Sequence, residues 1–217
     1  VLRSAQEKHL DHVLKRKEKL GEQAAAFSDE VIRQHLDVTD CDNVIFILVA
    51  TPVEEVGRDH DFDWAIVEPS SYRSIIQLSG RVLRHRKLEQ DIQKPNIALM
   101  QYNLKGLRKA KVAFEKPGFE INNDKFKLQN KNLNELLDIS GTEFSINAIP
   151  RIKANQPLQA IKKLADLEHA VMADALTSYN KVGAKPLNSW LTQKLFLTAL
   201  PQQFNPFRQS SPNIQLF

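Results

Sequence analysis

The sequence predicts an α/β fold, in which a largely parallel sheet with flanking helices is followed by a mixed, helix-rich region. Three short apolar runs rich in Val and Ile have the pattern of strands buried on both faces, and they lie at 43–50, 64–69 and 96–102. Helical periodicity precedes the first run and separates the last two, which is the order of an α/β sheet. This alternation ends near residue 105. We therefore predict one domain over 1–104 and an accessory region over 105–217.

Three helices are predicted around these strands. Residues 4–20 place leucines and valines on one face among lysines and glutamates, and a shorter helix follows at 28–36 with Ser28 as its N-cap. A third helix lies between the second and third strands and begins at Ser70 or Ser71, since a serine hydroxyl can accept from a free amide of the first turn.

The accessory region is predicted to contain short strands and further helices. The strands are expected at 118–121 and 125–128, and the helices at 131–139, 157–176 and 188–199. The apolar stripe of the helix at 157–176 is expected to lie in a core. Cations are frequent from Arg81 to Lys116, and this stretch suits either a nucleic-acid path or an ordinary solvated face. The sequence favours neither alternative.

The composition is that of an ordinary globular protein. Its 217 residues are 42% hydrophobic and 26% charged with a net charge of +4, which argues against general disorder and is only weakly basic. The longest apolar run is far too short to span a bilayer, and no targeting peptide is visible, so we expect a cytoplasmic protein without a membrane partner. The single cysteine, Cys41, is expected to be buried. A metal site over Asp59–Asp63 is disfavoured because no second His–Asp cluster completes it, and we predict no metal site.

The residues that indicate chemistry are two arginines on the third predicted helix. The spacing Gln-x-x-Gly-Arg-x-x-Arg would place Gln77, Arg81 and Arg84 on one helical face. Each arginine offers a planar fork of donors that matches phosphate oxygens, and such arginines stabilise the charge that develops during phosphoryl transfer. Gly80 would allow a ligand to approach the backbone closely, so we include it among the predicted cofactor-binding residues.

Two blocks of this region resemble motifs V and VI of superfamily 2 helicases. The blocks are VATPVEEVGRDHDFDWA and RSIIQLSGRVLRHR, and they are particularly similar to the CRISPR-associated helicase–nuclease of type I systems, subtype I-F, which is fused to a small adaptation protein. The resemblance implies that residues 1–104 are the latter half of a second RecA-like helicase domain. It also implies that the chain is a C-terminal portion of a larger motor.

The same resemblance implies individual roles in the motor. Arg81 and Arg84 would be arginine fingers that reach the γ-phosphate of ATP, and Gln77 would sense the nucleotide. Gly57 and Asp59 would lie at the nucleotide cleft, with Asp59 near the ribose. In a separate role, Thr51 would contact a phosphate of single-stranded DNA.

The implied function is that of an ATP-dependent single-stranded DNA translocase or helicase whose nuclease lies elsewhere in the polypeptide. It would degrade invader DNA in type I-F CRISPR interference, with ATP and Mg²⁺ bound by the intact enzyme. The sequence contains no GxxxxGK[ST] phosphate loop, so this chain alone is expected to hold neither and to be inactive.

The resemblance also implies partners for the intact enzyme. They are single-stranded DNA, the CRISPR RNA-guided surveillance complex, the adaptation integrase and a phage anti-CRISPR inhibitor. Two alternatives stay open: another superfamily 2 helicase that acts in repair or on RNA, and a nucleotide-free module that docks DNA or protein.

Overall fold

The structure, a computed structural model, describes residues 8–11, 13–14, 27, 29–55, 59–85, 94–137 and 145–177. Its elements are, in chain order, α1 (Glu30–Leu36), a 3₁₀ turn (Pro52–Glu55), β1 (Ala65–Val67), α2 (Tyr72–Ser79), β2 (Ile97–Leu99), α3 (Leu104–Leu107), α4 (Leu133–Leu136), α5 (Ile149–Ile152) and α6 (Leu164–Thr177). β1 and β2 form a small parallel sheet, so the α/β class is confirmed.

The chain divides into two compact units. The first contains Val1–Val67 and Gln77–Ala98, and the second contains Glu68–Ile76 and Leu99–Phe217, so the division passes through α2 and β2. None of the helices among the described residues has the length and apolar character needed to cross a bilayer.

In the first unit, a small apolar cluster joins the N-terminal residues to the rest. Residues 8–11 and 13–14 are helical. Val13 and Leu14 are buried, and the partly buried side chains that pack against them are Leu10, Ile32, Leu48 and Phe62. The rest of the predicted helix at 4–20 lies outside the described residues.

Helix α1 begins later than predicted. Its N-cap is Asp29, whose carboxylate accepts a hydrogen bond from the Ile32 amide at 3.1 Å. This satisfies one of the free amides of the first turn, which is the role that the sequence assigned to Ser28. Ser28 itself lies outside the described residues.

The strand predicted at 43–50 is wrong. These residues are irregular, and Ile45, Ile47 and Val49 are exposed by 69, 77 and 93%. A strand needs hydrogen-bonded neighbours at its edges, and within the described residues this segment has none. Cys41, expected to be buried, is exposed as well.

The other two predicted strands are present but shorter. β1 and β2 each have three residues, and the Ala65 amide donates to the Asn96 carbonyl at 3.1 Å where the pair begins. The predicted start of the next helix is also correct. The Ser71 hydroxyl accepts from the Ser74 amide at 3.0 Å, so Ser71 acts as the N-cap of α2.

The core of the second unit is built around a buried carboxylate. Glu120 accepts hydrogen bonds from the amides of Ala113, Phe114 and Leu128 at 2.8–3.0 Å and also pairs with Lys131. The strands predicted at 118–121 and 125–128 are wrong, since both segments consist of turns and irregular backbone. In the second segment the amides of Phe126 and Leu128 bond to the side chains of Asn123 and Glu120 rather than to a strand ladder. The buried apolar residues of this core are Tyr72, Ile75, Ala113, Phe114, Phe126, Leu128, Leu133, Leu136, Leu164, Ala165 and Leu167.

Two of the three helices predicted after residue 130 are found, in shortened form. Helix α4 lies within the predicted range 131–139. Helix α6 replaces the helix predicted at 157–176, beginning seven residues late and ending one residue beyond that range. The Asp166 carboxylate accepts from the Gln159 amide at 2.9 Å, so the preceding loop folds back onto the first turn of α6. Leu158 is consequently 41% exposed and lies outside the core, contrary to expectation. The helix predicted at 188–199 lies outside the described residues.

A second buried carboxylate of this unit lies on α6. Glu168 accepts from the Tyr72 amide at 2.7 Å and from the Arg73 amide at 3.4 Å, at the N-terminus of α2. Burial raises the pKa of Glu168 above its ordinary value. The two backbone hydrogen bonds and the charge of Arg151 lower this pKa, but by less. The helix therefore gains a buried N-terminal acceptor from 96 residues further along the chain.

Candidate functional site

The candidate site of the first unit lies where α2 ends. Helix α2 stops at Ser79, and the residues after it pair with the loop that precedes β1. The Phe62 amide donates to the Arg81 carbonyl at 2.9 Å, and the Leu83 amide donates to the Phe62 carbonyl at 2.8 Å. The prediction of one helical face carrying Gln77, Arg81 and Arg84 is therefore wrong, because this pairing draws the chain out of the helix.

A buried aspartate fixes the backbone of the second arginine. Asp61 is fully buried, and its two carboxylate oxygens accept from the amides of Arg84 at 3.1 Å and His85 at 3.3 Å. The Asp61 amide in turn donates to the Leu14 carbonyl at 3.0 Å. Sequence reasoning did not identify this role. The available signal is that Asp61 lies between two ring side chains, His60 and Phe62, which the structure places against the protein interior.

The first arginine, Arg81, is buried with only part of its donor set used. It is 8% exposed, and Nη2 donates to the Glu55 carbonyl at 3.4 Å. Its Nε and Nη1 have no hydrogen-bond partner among the described residues. Burial, and then the charge of Arg84, lower the pKa of Arg81, whereas Glu54 and Asp59 oppose the shift. A guanidinium remains charged at neutral pH, so Arg81 is a buried cation with free donors.

The second arginine, Arg84, is accessible and lies beside a carboxylate. Its side chain is 40% exposed, and its Nε lies 3.7 Å from Asp59 Oδ1. The same oxygen lies 2.8 Å from His85 Nε2. Asp59 and Arg84, both predicted site residues, are therefore neighbours, and His85, which had no predicted role, is part of the same group.

Further buried polar atoms of this unit lack partners among the described residues. They include Gln77 Oε1, Ser79 Oγ and Glu55 Oε2. Unsatisfied polar atoms are rare in folded proteins, and they favour a site at which water or a ligand completes the hydrogen bonding. Glu55 itself is only 2% exposed.

A buried histidine connects this loop to the N-terminal residues. His60 is fully buried, with Nδ1 2.7 Å from Glu54 Oε2 and Nε2 3.0 Å from Asp11 Oδ1. His60 therefore contacts one carboxylate through each of its two ring nitrogens. Within the described part of the chain, no group of three or more His, Cys, Asp or Glu could hold a metal ion. The arrangement fits a structural clamp.

We expect the change His60→Ala to loosen the loop that carries Asp59 and Asp61. The change leaves the buried Glu54 carboxylate without its hydrogen-bond partner, a loss of about 3 kcal/mol. Hydrogen exchange of the Asp61 amide in the full-length protein measures the effect, because this amide bonds to the Leu14 carbonyl. It should exchange at least ~100-fold faster, since each tenfold corresponds to about 1.4 kcal/mol.

His9 provides the matched control for His60. It lies 3.1 Å from Asp29 in the same unit but is 38% exposed, so His9→Ala should change the same amide little. Equal exchange rates in the wild type and His60→Ala would contradict the clamp.

The remaining predicted site residues are less constrained. Thr51 is exposed and follows the exposed segment 43–50, and Gly80 is an exposed turn residue beside Arg81. Gly57 lies outside the described residues. The structure thus brings together Asp59, Arg81 and Arg84 through one loop, without giving Thr51 a described contact with them.

Comparison with known proteins identifies the relatives of this chain. Residues 1–87 match the family described as CRISPR-associated nuclease/helicase Cas3, C-terminal. Over 97% of its length the chain is 39% identical to the CRISPR-associated nuclease/helicase Cas3 subtype I-F/YPEST of Pectobacterium atrosepticum, and the match covers 19% of that protein. Over 78% of its length it is 43% identical to the protein of the same name from Pseudomonas aeruginosa, of which 15% is covered.

The chain thus spans less than a fifth of the length of either relative. The match over residues 1–87 and the two relatives place this chain in the family of the CRISPR-associated nuclease/helicase Cas3, as a portion of its C-terminal region.

Proposed function

We propose that this chain forms part of an ATP-dependent single-stranded DNA translocase, with residues 1–104 as the latter half of a RecA-like domain. In the intact protein it would serve type I-F CRISPR interference and feed invader DNA to a nuclease located elsewhere in the polypeptide. The family match and the names of the relatives support a role in a CRISPR-associated nuclease/helicase. The site of the first unit supports the nucleotide role.

The proposal rests on the burial and hydrogen bonding of the two arginines. Arg81 is buried with two donor nitrogens that have no partner among the described residues, while Arg84 is accessible and its backbone is held by Asp61. A triphosphate needs positioned cationic donors, and a guanidinium supplies several in one plane. The orphaned buried donors of Arg81 and the acceptor Gln77 Oε1 therefore fit a nucleotide.

In this proposal each residue of the site has a distinct task. Arg81 and Arg84 donate to γ-phosphate oxygens and stabilise the charge that develops on them as the terminal phosphoryl group is transferred to water. Asp59 turns from Arg84 toward the ribose, and Gln77 reports the bound nucleotide. Mg-ATP supplies the phosphoryl group and its neutralising metal, and a phosphate loop elsewhere in the intact protein would hold both. Gly57 and Gly80 leave room for close approach of the nucleotide.

The DNA role is proposed for the exposed residue Thr51. Its hydroxyl is accessible at the end of segment 43–50 and can donate to a phosphate oxygen of single-stranded DNA. The intact protein would be cytoplasmic, with the RNA-guided surveillance complex and the adaptation integrase as partners and an anti-CRISPR protein as its inhibitor.

ATP hydrolysis by the full-length protein tests this proposal. We expect single-stranded DNA to stimulate hydrolysis strongly and RNA of the same sequence to leave it near the basal rate. Stimulation by RNA alone would instead favour an RNA helicase, and hydrolysis unaffected by either polymer would refute a nucleic-acid motor.

A further inference from the structure

The second unit carries a strongly basic surface segment that the proposed motor chemistry does not use. Residues 104–116, here called the basic loop, contain five cations and one carboxylate. Their net charge of +4 equals that of the whole chain. The cations are Lys105, Arg108, Lys109, Lys111 and Lys116, and all five are exposed.

Four of these cations have no acidic partner within the described residues. The one carboxylate, Glu115, pairs with Lys105. No described carboxylate lies within ion-pair distance of Arg108, Lys109, Lys111 or Lys116, whereas Lys125 and Lys131 elsewhere in this unit are paired. An uncompensated patch of this kind attracts polyanions.

The basic loop is held in one conformation by a buried asparagine. Asn103 Oδ1 accepts from the Gly106 amide at 2.8 Å, and its Nδ2 donates to the Ala113 carbonyl at 2.9 Å. Asn103 thereby ties the start of the loop to its far end. Between them, the Ala110 amide donates to the Lys105 carbonyl at 2.9 Å. The cations are therefore presented from an ordered backbone, which lowers the entropy cost of binding.

The tip of the loop contains a residue in a left-handed backbone conformation. Lys109 has a φ of 57°, in the left-handed region where glycine is the least costly residue. A lysine held there costs about 1–3 kcal/mol of local strain, and strain of this kind is concentrated at functional sites.

A groove runs beside the loop. It has a volume of about 440 Å³ and is lined by Lys105, Ala110, Lys111, Val112, Glu115 and Asn122. Two of its lining residues, Lys105 and Lys111, are cations, which suits contact with a sugar–phosphate backbone. Its lining has no aromatic side chain, so contact here would be with the phosphate backbone and not by base stacking.

We propose that the basic loop and its groove bind the phosphate backbone of a single-stranded nucleic acid. This contact lies in the second unit and depends on neither ATP nor the arginines of the first unit. Its recognition is by charge, so it should be independent of base sequence and strongly dependent on salt.

The test compares oligothymidylate binding by two triple variants of the full-length protein, without nucleotide. The variant Arg108→Gln, Lys109→Gln, Lys111→Gln removes three charges from the loop. The control Lys94→Gln, Lys153→Gln, Lys162→Gln removes three exposed charges elsewhere. We expect the loop variant to bind about 10–100-fold more weakly in 0.1 M salt and its log–log salt slope to fall by about 2, with the control unchanged.

Photocrosslinking locates the contact. Oligothymidylate that carries photoreactive thiothymidine should crosslink to peptides covering residues 102–122 in the wild type and lose these crosslinks in the loop variant. Equal affinities and salt slopes in both variants, or crosslinks confined to other peptides, would overturn the proposal. Loss of binding to polyglutamate with oligothymidylate binding intact would assign the loop to an acidic protein and overturn it as well.

Discussion

Arg84→Ala should reduce the DNA-stimulated ATP hydrolysis of the full-length protein by a factor of ~10³ or more while leaving its affinity for DNA nearly unchanged. A positioned arginine contributes about 10³–10⁵ to phosphoryl transfer because it neutralises charge that is largest in the transition state. The fold should tolerate the change. The Arg84 side chain is 40% exposed, and its ion pair with Asp59 is long at 3.7 Å, so its removal opens no cavity.

The design separates loss of a catalytic group from loss of structure. Arg33 is the matched control, because it is 51% exposed, lies in the same unit and pairs with the neighbouring carboxylate Asp37. Arg33→Ala should hydrolyse ATP at the wild-type rate. Arg84→Lys keeps the charge but loses the planar fork, so it should stay well below wild type. Near-normal turnover of Arg84→Ala would remove Arg84 from the catalytic machinery.

The sequence predicted which residues lie together in the candidate site better than it predicted their geometry. The resemblance to superfamily 2 helicases implied Asp59, whereas residue types and spacing selected Arg81 and Arg84, and the structure places all three around one loop. They did not predict that the helix ends at Ser79, because the competing bonds come from Asp61 and Phe62, about 20 residues earlier. Helical periodicity is a local signal, and a long-range bridge overrides it.

The fold shows the same division between local and long-range signals. The N-cap Ser71 and the strands β1 and β2 follow from local patterns. The strand predicted at 125–128 fails because the side chains of Asn123 and Glu120 take the amides of Phe126 and Leu128, and an alternating pattern cannot reveal such acceptors. For segment 43–50 the apolar pattern is clear, but a pattern shows only what a segment can bury and not which neighbour covers it.

Asp61→Asn tests whether the loop geometry matters to catalysis, since this residue acts on Arg84 only through the backbone. The two oxygens of Asp61 accept from the amides of Arg84 and His85, and an asparagine can accept from only one of them. Its NH₂ group would face the other amide, so the backbone must shift. A displacement of about 1 Å at a catalytic group costs about 10²-fold in rate, and we expect a loss of this size in ATP hydrolysis with DNA affinity retained.

A double-mutant comparison shows whether Asp61 is a positioning residue or only stabilises the fold. If it acts through Arg84, Asp61→Asn should lower hydrolysis about 10²-fold in the wild type but add little in the Arg84→Ala protein, because the group that it positions is already gone. Additive losses would show that Asp61 acts independently of Arg84. Asp63→Asn, two residues away and exposed, provides the control and should leave the rate unchanged. Because Asp61 also bonds to Leu14 through its own amide, the N-terminal residues, the loop and the arginine would then form one connected path to the site.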